Sequence, residues 1–247
     1  MKQTKVLLVT AIAALAAVGC VSTGLSPREQ SGTDYPALVA ALYQQTTSLP
    51  PAHPLERPVR LAVAQVGETA PAASFLARIE SHSEVVARAN GIPLIGERRS
   101  GRSDHKHVTD AAQFARQAAS ARSLARDLGA EYLLIVGGNI DRYTTKTAAA
   151  VLDFTLVGSV VSPGARVRIE GKAAGALVEV ASGRAVLLAS TEIQQTANTP
   201  TYFLADKAQA MQFTVRDLLL QQLADEFVRQ LRVNAMAIKE TRNQRAP

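Results

Sequence analysis

Apolar and polar positions divide the 247-residue chain into stretches of different rhythm. Residues 6–18 are an uncharged apolar run behind Lys2 and Lys5, which predicts a signal peptide over residues 1–19; the run is shorter than the roughly 20 residues that a membrane-spanning helix needs. The polar, turn-forming stretch "STGLSPREQSGT" follows. Next, "YPALVAALYQQ" carries the pattern of a short helix over residues 37–45, and "SLPPAHPLERP" packs in four prolines, which stiffen the backbone and forbid regular ladders. Residues 20–57 therefore read as a tether, with the core of the domain starting near Val59.

Two further rhythms fill residues 58–235. "VRLAVAQV" (59–66) reads as a buried strand, and residues 71–90 place Phe75, Ile79, Val86 and Ala89 on one helical stripe ended by Gly91. "GIPLIGER" is a second strand candidate. The charged stretch "RRSGRSDHKH" predicts a mobile loop, after which Thr109 or Asp110 caps a helix whose apolar side is Phe114, Ala118, Ala121, Leu124, Ala125 and Leu128, stopped by Gly129. "EYLLIVGG" (131–138) has the continuous apolar character of a central strand covered on both faces. Beyond Asp141 the period drops to two: residues 151–161, then "ARVRIEGKAAGALVEVA", then "RAVLLASTEI" predict an antiparallel meander turning at "SPG" and at Ser182-Gly183. Residues 202–233 carry Leu204, Ala208, Met211, Val215, Leu219, Leu223, Phe227 and Leu231 at spacings of three and four, a long helix expected to lie across its own sheet. The expectation is one α/β domain of three-layer type: a mixed sheet of about five strands, β-α-β-α-β and then the meander, with the terminal helix packed on it. The tail, 236–247, is polar.

Composition changes this picture little. Hydrophobic residues are 47% of the chain and charged residues 19%, enough for a core. The formal charge of +6 falls to +4 without Lys2 and Lys5. Arginines are scattered, Trp is absent and aromatics are 4%, so the sequence offers no stacking platform and nucleic acid is not an expected partner.

The single cysteine changes it more. Ala17-Val18-Gly19-Cys20 resembles the lipobox of bacterial lipoproteins, in which a peptidase cuts before the cysteine and the thiol carries diacylglycerol. Without a second cysteine, Cys20 has no internal disulfide partner, and two or three acyl chains hold a membrane more firmly than one. Val21 in place of Asp resembles the sorting pattern of outer-membrane lipoproteins, which implies a periplasm-facing, lipid-anchored protein. "LARDLGAEYLLIVGG" followed by "ALVEVASGRAVLLAS" looks like the periplasmic domain group that includes the curli secretion lipoprotein. More narrowly, "FTLVGSVVSPG", "ALVEVASGRAVLLAS" and the helix after "YFLADKAQA" are similar to the rhombotarget lipoproteins, a resemblance covering roughly residues 58–232 that implies no established biochemical activity. No glycine-glycine sorting tail stands at the C-terminus.

Candidate chemistry is sparse. In "SDHKH", Asp104, His105 and His107 are weak candidates for holding zinc or nickel, since residues 105 and 107 of an extended segment point the same way; a solvated polar loop accounts for the same residues. His82 is expected at the surface of a helix, and His53 lies in the tether. Glu68 and Asp141 follow strands, where carboxylates cap turns. No G-x-S-x-G elbow, Walker A sequence or G-x-G-x-x-G after a strand is present. The sequence therefore assigns no catalytic residue, no cofactor and no metal site, and lipidation at Cys20. The expected function is a non-catalytic interaction or scaffold module whose partners are membrane lipid and either an envelope protein or a second copy. Two alternatives stand beside it. One is an oligomeric, curli-type secretion pore, which Arg166, Arg168, Glu170 and Lys172 on one strand face disfavour. The other is a metal-binding protein or enzyme using the 104–107 loop.

Overall fold

The computed structural model describes residues 34–46, 58–66, 71–84, 86–92, 111–147 and 164–245, with positions 111 and 235–245 described as backbone only. In chain order the elements are α1 (Tyr35–Thr46), β1 (Val59–Gln65), α2 (Ala73–Glu80), β2 (Val86–Ile92), α3 (Ala111–Asp127), β3 (Tyr132–Lys146), β4 (Ala165–Glu179), β5 (Ala185–Thr199) and, after a 3-10 turn at Thr201–Phe203, α4 (Leu204–Arg245). The sheet is mixed, with strand order β2-β1-β3-β4-β5; β1 runs parallel to both β2 and β3. The expected α/β architecture with a long terminal helix is the observed one. Chain contacts divide into two compact units: one holds residues 141–170 and 194–214, the other residues 31–140, 171–193 and 215–247.

In the second unit the sheet is covered on both faces. Val59, Leu61 and Val63 of β1, with Tyr132, Leu134 and Val136 of β3, pack with Phe75 and Ile79 of α2 and with Leu219, Leu223, Phe227 and Leu231 of α4. The intervening positions, Ala62 and Ala64 of β1 and Leu133 and Ile135 of β3, pack with Phe114, Ala118 and Ala121 of α3 and Val39 of α1. A period of two in the strands thus sends successive side chains to opposite helical layers. The stripe expected on α4 is buried from Ala208 to Leu231 and extended by Leu220, Ala224 and Val228, while Leu204 at its start is half-buried.

Helix α1 overturns the expected start of the core. Asp34 Oδ1 accepts the Ala37 N–H at 3.1 Å, an N-cap, and Val39 is fully buried. A Cβ on Gly137 would lie 2.9 Å from the Cβ of Tyr35, so the missing side chain there is what lets α1 close on β3. At its other end, Thr46 Oγ1 accepts the Ala185 N–H at 3.0 Å. The core therefore begins with α1, inside the stretch read as tether.

The helix expected over residues 71–90 is two elements. α2 stops at Glu80, and Val86 and Ala89 sit on β2. The cause of the misreading is a bulge: Val59 pairs with Val86 and Arg60 with Arg88, leaving Ala87 as an extra residue. The bulge turns Val86 and Ala89 to the same face at a spacing of three, which imitates a helix. Gly91 accordingly lies within the strand rather than ending a helix.

Helix α3 ends as expected. Gly129 has φ +67°, with the Gly129 N–H on the Arg126 carbonyl and the Ala130 N–H on the Ala125 carbonyl, a Schellman closure. Leu128, expected on the apolar side, is 53% exposed because this closure turns it outward. Gly183, with φ +77°, carries the turn between β4 and β5. Within the second unit α4 is also held by charge: Arg78 makes a two-bond pair with Asp225, at 2.7 and 3.0 Å, and Arg232 bonds Glu84 and the Nδ1 of His82. His82 follows α2 and is half-buried beside Arg232, rather than exposed on a helix.

Candidate functional site

The lipobox, Glu68, the Asp104, His105 and His107 trio, and His53 all lie outside the described residues. Asp141, expected after a strand, sits within β3 because the strand continues to Lys146; it is 7% exposed and has partners in the fold. Among the described residues no group of three or more His, Cys, Asp or Glu is placed to hold a metal ion. No helix among them is long and apolar enough to cross a membrane.

The first unit contains a polar strand face. In β4, Ala165, Val167 and Ile169 are buried while Arg166 and Arg168 are exposed and Glu170 is half-buried, as a two-residue period requires. Arg168 is the centre of this face. It pairs with Glu170, its Nη2 donates to Gln194 Oε1 at 3.2 Å, and its guanidinium carbon lies 5.9 Å from the centroid of the Tyr143 ring, within cation–π range. Arg166 Nε donates to Asn198 Oδ1 at 3.2 Å. With Thr145 and Thr196 these side chains line an open cleft of about 420 Å³. The cleft has two guanidinium groups against one carboxylate, and each long side chain is braced by a neighbour. Chemically it can present hydrogen-bond donors and a stacked cation to a polar or anionic surface. Sequence reasoning misses Tyr143, Gln194 and Thr196: β5 alternates weakly through Gln194 and Thr196, while β3 past "VGG" carries no period of two that would mark Tyr143.

The same unit also exposes aromatic area. Tyr202 is 78% exposed, Phe203 44% and Phe213 58%. Tyr202 and Phe203 meet edge to face with ring centroids 5.1 Å apart. Both sit on the 3-10 turn that leads into α4, where Pro200 precedes the turn and the Phe203 N–H closes it on the Pro200 carbonyl. On α4, Phe213 falls off the buried stripe of Ala208, Met211 and Val215.

Among solved structures, two crystal forms of the PelC dodecamer from Paraburkholderia phytofirmans are similar to the chain, at 14% and 15% identity. They cover 72% of this chain and 91% and 90% of their own, with a TM-score of 0.30 each. The lipoprotein GNA1162 from Neisseria meningitidis is similar at 11% identity, covering 64% of this chain and 99% of its own, with a TM-score of 0.27. No family model and no curated protein matches the sequence. Similarity at this level leaves the functional reading to the chain's own residues.

Proposed function

We propose that the chain is a lipid-anchored envelope protein of the outer membrane whose folded part is a non-catalytic docking module for another envelope protein. The observation that carries this reading is the placing of aromatic side chains. The sequence has five Tyr, six Phe and no Trp, yet Tyr202, Phe203 and Phe213 stand exposed within one short stretch. Large exposed aromatic side chains are the usual anchors of protein interfaces, and burying them against a partner recovers the free energy that exposure forfeits. The braced arginines of the polar face supply a second kind of contact, suited to fixing orientation. Anchoring rests on the lipobox ending at Cys20. The resemblance to curli-type and rhombotarget lipoproteins agrees with a periplasmic setting and is part of the proposal.

A second reading, self-association, is favoured by β5. It is a 15-residue strand at one edge of the sheet, and an edge strand is a template for pairing with another chain.

The test is in-cell crosslinking of the full-length protein, beside Cys20→Ala and Tyr202→Ser/Phe203→Ser versions, with mass spectrometry of the captured species. A specific envelope protein lost in the double variant supports the docking module. Crosslinks only between copies favour self-association, and capture unaffected by the double variant removes the aromatic stretch from the interface.

A further inference from the structure

A pocket of about 270 Å³ lies in the second unit, and it shares no lining residue with the polar cleft. Its position follows from the connections of the parallel strands. From β1 the chain passes through α2, on one face of the sheet, to β2; from β2 it passes through α3, on the other face, to β3. Since β1 lies between β2 and β3, the connections leave in opposite directions beside β1. Such a reversal opens a crevice at the carboxyl ends of the strands. Gln65, the last residue of β1, pairs with Val136 of β3, and Gln65, Val66, Val136, Gly138 and Ile140 all line the cavity.

The lining has a consistent chemistry. Val66 just after β1, Val136 of β3 and Leu219 and Leu220 of α4 give it apolar walls. Its polar side chains are Tyr35, Gln65 and Arg216, which bring hydroxyl, amide and guanidinium donors; no carboxylate lines it among the described residues. Gln65 is 9% exposed, and its Oε1 accepts the Ala72 N–H at 3.2 Å. With its acceptor engaged at the start of α2, what this amide has to offer a ligand is its Nε2 donor pair. Arg216 is half-buried and already has a partner within the protein, while its five N–H groups leave donors for another acceptor.

We propose that this cavity is a binding site for a small organic anion with an apolar body, such as a short-chain carboxylate. The carboxylate would take the donors of Arg216 and Gln65, and the chain would lie against the valine and leucine walls. The volume is near the small end of ligand pockets, which run from about 300 to 1,000 Å³, so a short chain is enough to fill this open pocket. This inference is independent of the docking reading.

The experiment is calorimetric titration of the purified full chain, carrying Cys20→Ala to keep it free of acyl groups, with hexanoate and separately with hexanol. Circular dichroism checks that each variant is folded. Hexanoate is expected to bind saturably at one site, with hexanol weaker by about tenfold or more because it forms no charge-assisted bond. Arg216→Gln is expected to weaken hexanoate by about tenfold and leave hexanol unchanged, while Arg216→Lys retains most of the hexanoate affinity. Should Arg216→Gln fail to fold, the contrast between hexanoate and hexanol on the parent chain and on Arg216→Lys still decides. No saturable hexanoate binding at millimolar concentration, equal binding of the two probes, or hexanoate binding indifferent to Arg216→Gln in a folded variant overturns the proposal.

Discussion

The two halves of β4 make unlike use of the same backbone. From Ala165 to Lys172 every second residue is charged and turned outward, whereas from Ala173 to Glu179 every residue is buried. The second half reads "AAGALVE": Ala173 and Leu177 face the layer of α2 and α4, and Ala174, Ala176 and Val178 face the layer of α1 and α3. Small side chains are what allow helices to approach both faces. A strand buried on one side alternates in sequence, and a strand buried on both does not. Within β4 the change of rhythm therefore marks where two-sided cover begins.

The sharpest test of that contrast is to remove side chains from each half. Leu177→Ala is expected to cost about 2–5 kcal/mol, as for other fully buried leucines, while Arg168→Ala should stay within about 0.5 kcal/mol, as surface substitutions do. Urea unfolding of both variants measures it, and equal losses would break the comparison. A smaller effect comes from closing the approach that two-sided cover needs. A Cβ at Gly137 would meet the Cβ of Tyr35 at 2.9 Å and its carbonyl oxygen at 3.2 Å, and neither is a flexible tip. Gly137→Ala is therefore expected to cost about 1–3 kcal/mol through overpacking and to make α1 cleavable by protease; full protection of α1 would mean that the approach is looser than it stands.

The smallest expected effect concerns the charged periphery. Hydrogen bonds from Arg232 hold the Glu84 carboxyl below the ordinary carboxylate range, and those from Arg229 and then Gln230 do the same for Glu226. Groups lowered in this way stabilise the fold above their unfolded value of about 4.3 and lose that contribution as pH falls through the lower folded value. Stability should therefore decline below roughly pH 4 to 5, and Glu84→Gln should flatten part of the decline. Unfolding midpoints measured from pH 7 to pH 3 check this. An unchanged acid limb in Glu84→Gln would place the acid sensitivity elsewhere.

What the sequence disclosed, and what it hid, follows the same physics. α4, α3 and the turn at Ser182-Gly183 were legible because each repeats one period over many residues or ends at a glycine with a positive φ, and the start of β3 because its apolar run is unbroken. β2 was hidden because its bulge at Ala87 replaced a period of two with a spacing of three. α1 was read as a helix but assigned to the tether, since the clue to its docking is Gly137, a residue 98 positions from Val39. The polar cleft of Tyr143, Arg168 and Gln194 draws on three strands, and only its β4 members alternate strongly enough to be noticed. The cavity beside β1 was invisible for a related reason: a crevice made by reversed connections depends on strand order, which a hydrophobic pattern does not encode.

One contact distinguishes the two borders of the sheet. The Ala89 N–H of β2 is taken by Glu80 Oε1 at 3.1 Å, so the bulged strand spends one of its donors on a carboxylate from the preceding helix. An incoming chain that tried to template on β2 would meet an irregular ladder and a negative charge, both of which guard natural sheets against runaway stacking. The sheet is thereby given a polarity of growth, closed by its own sequence at β2.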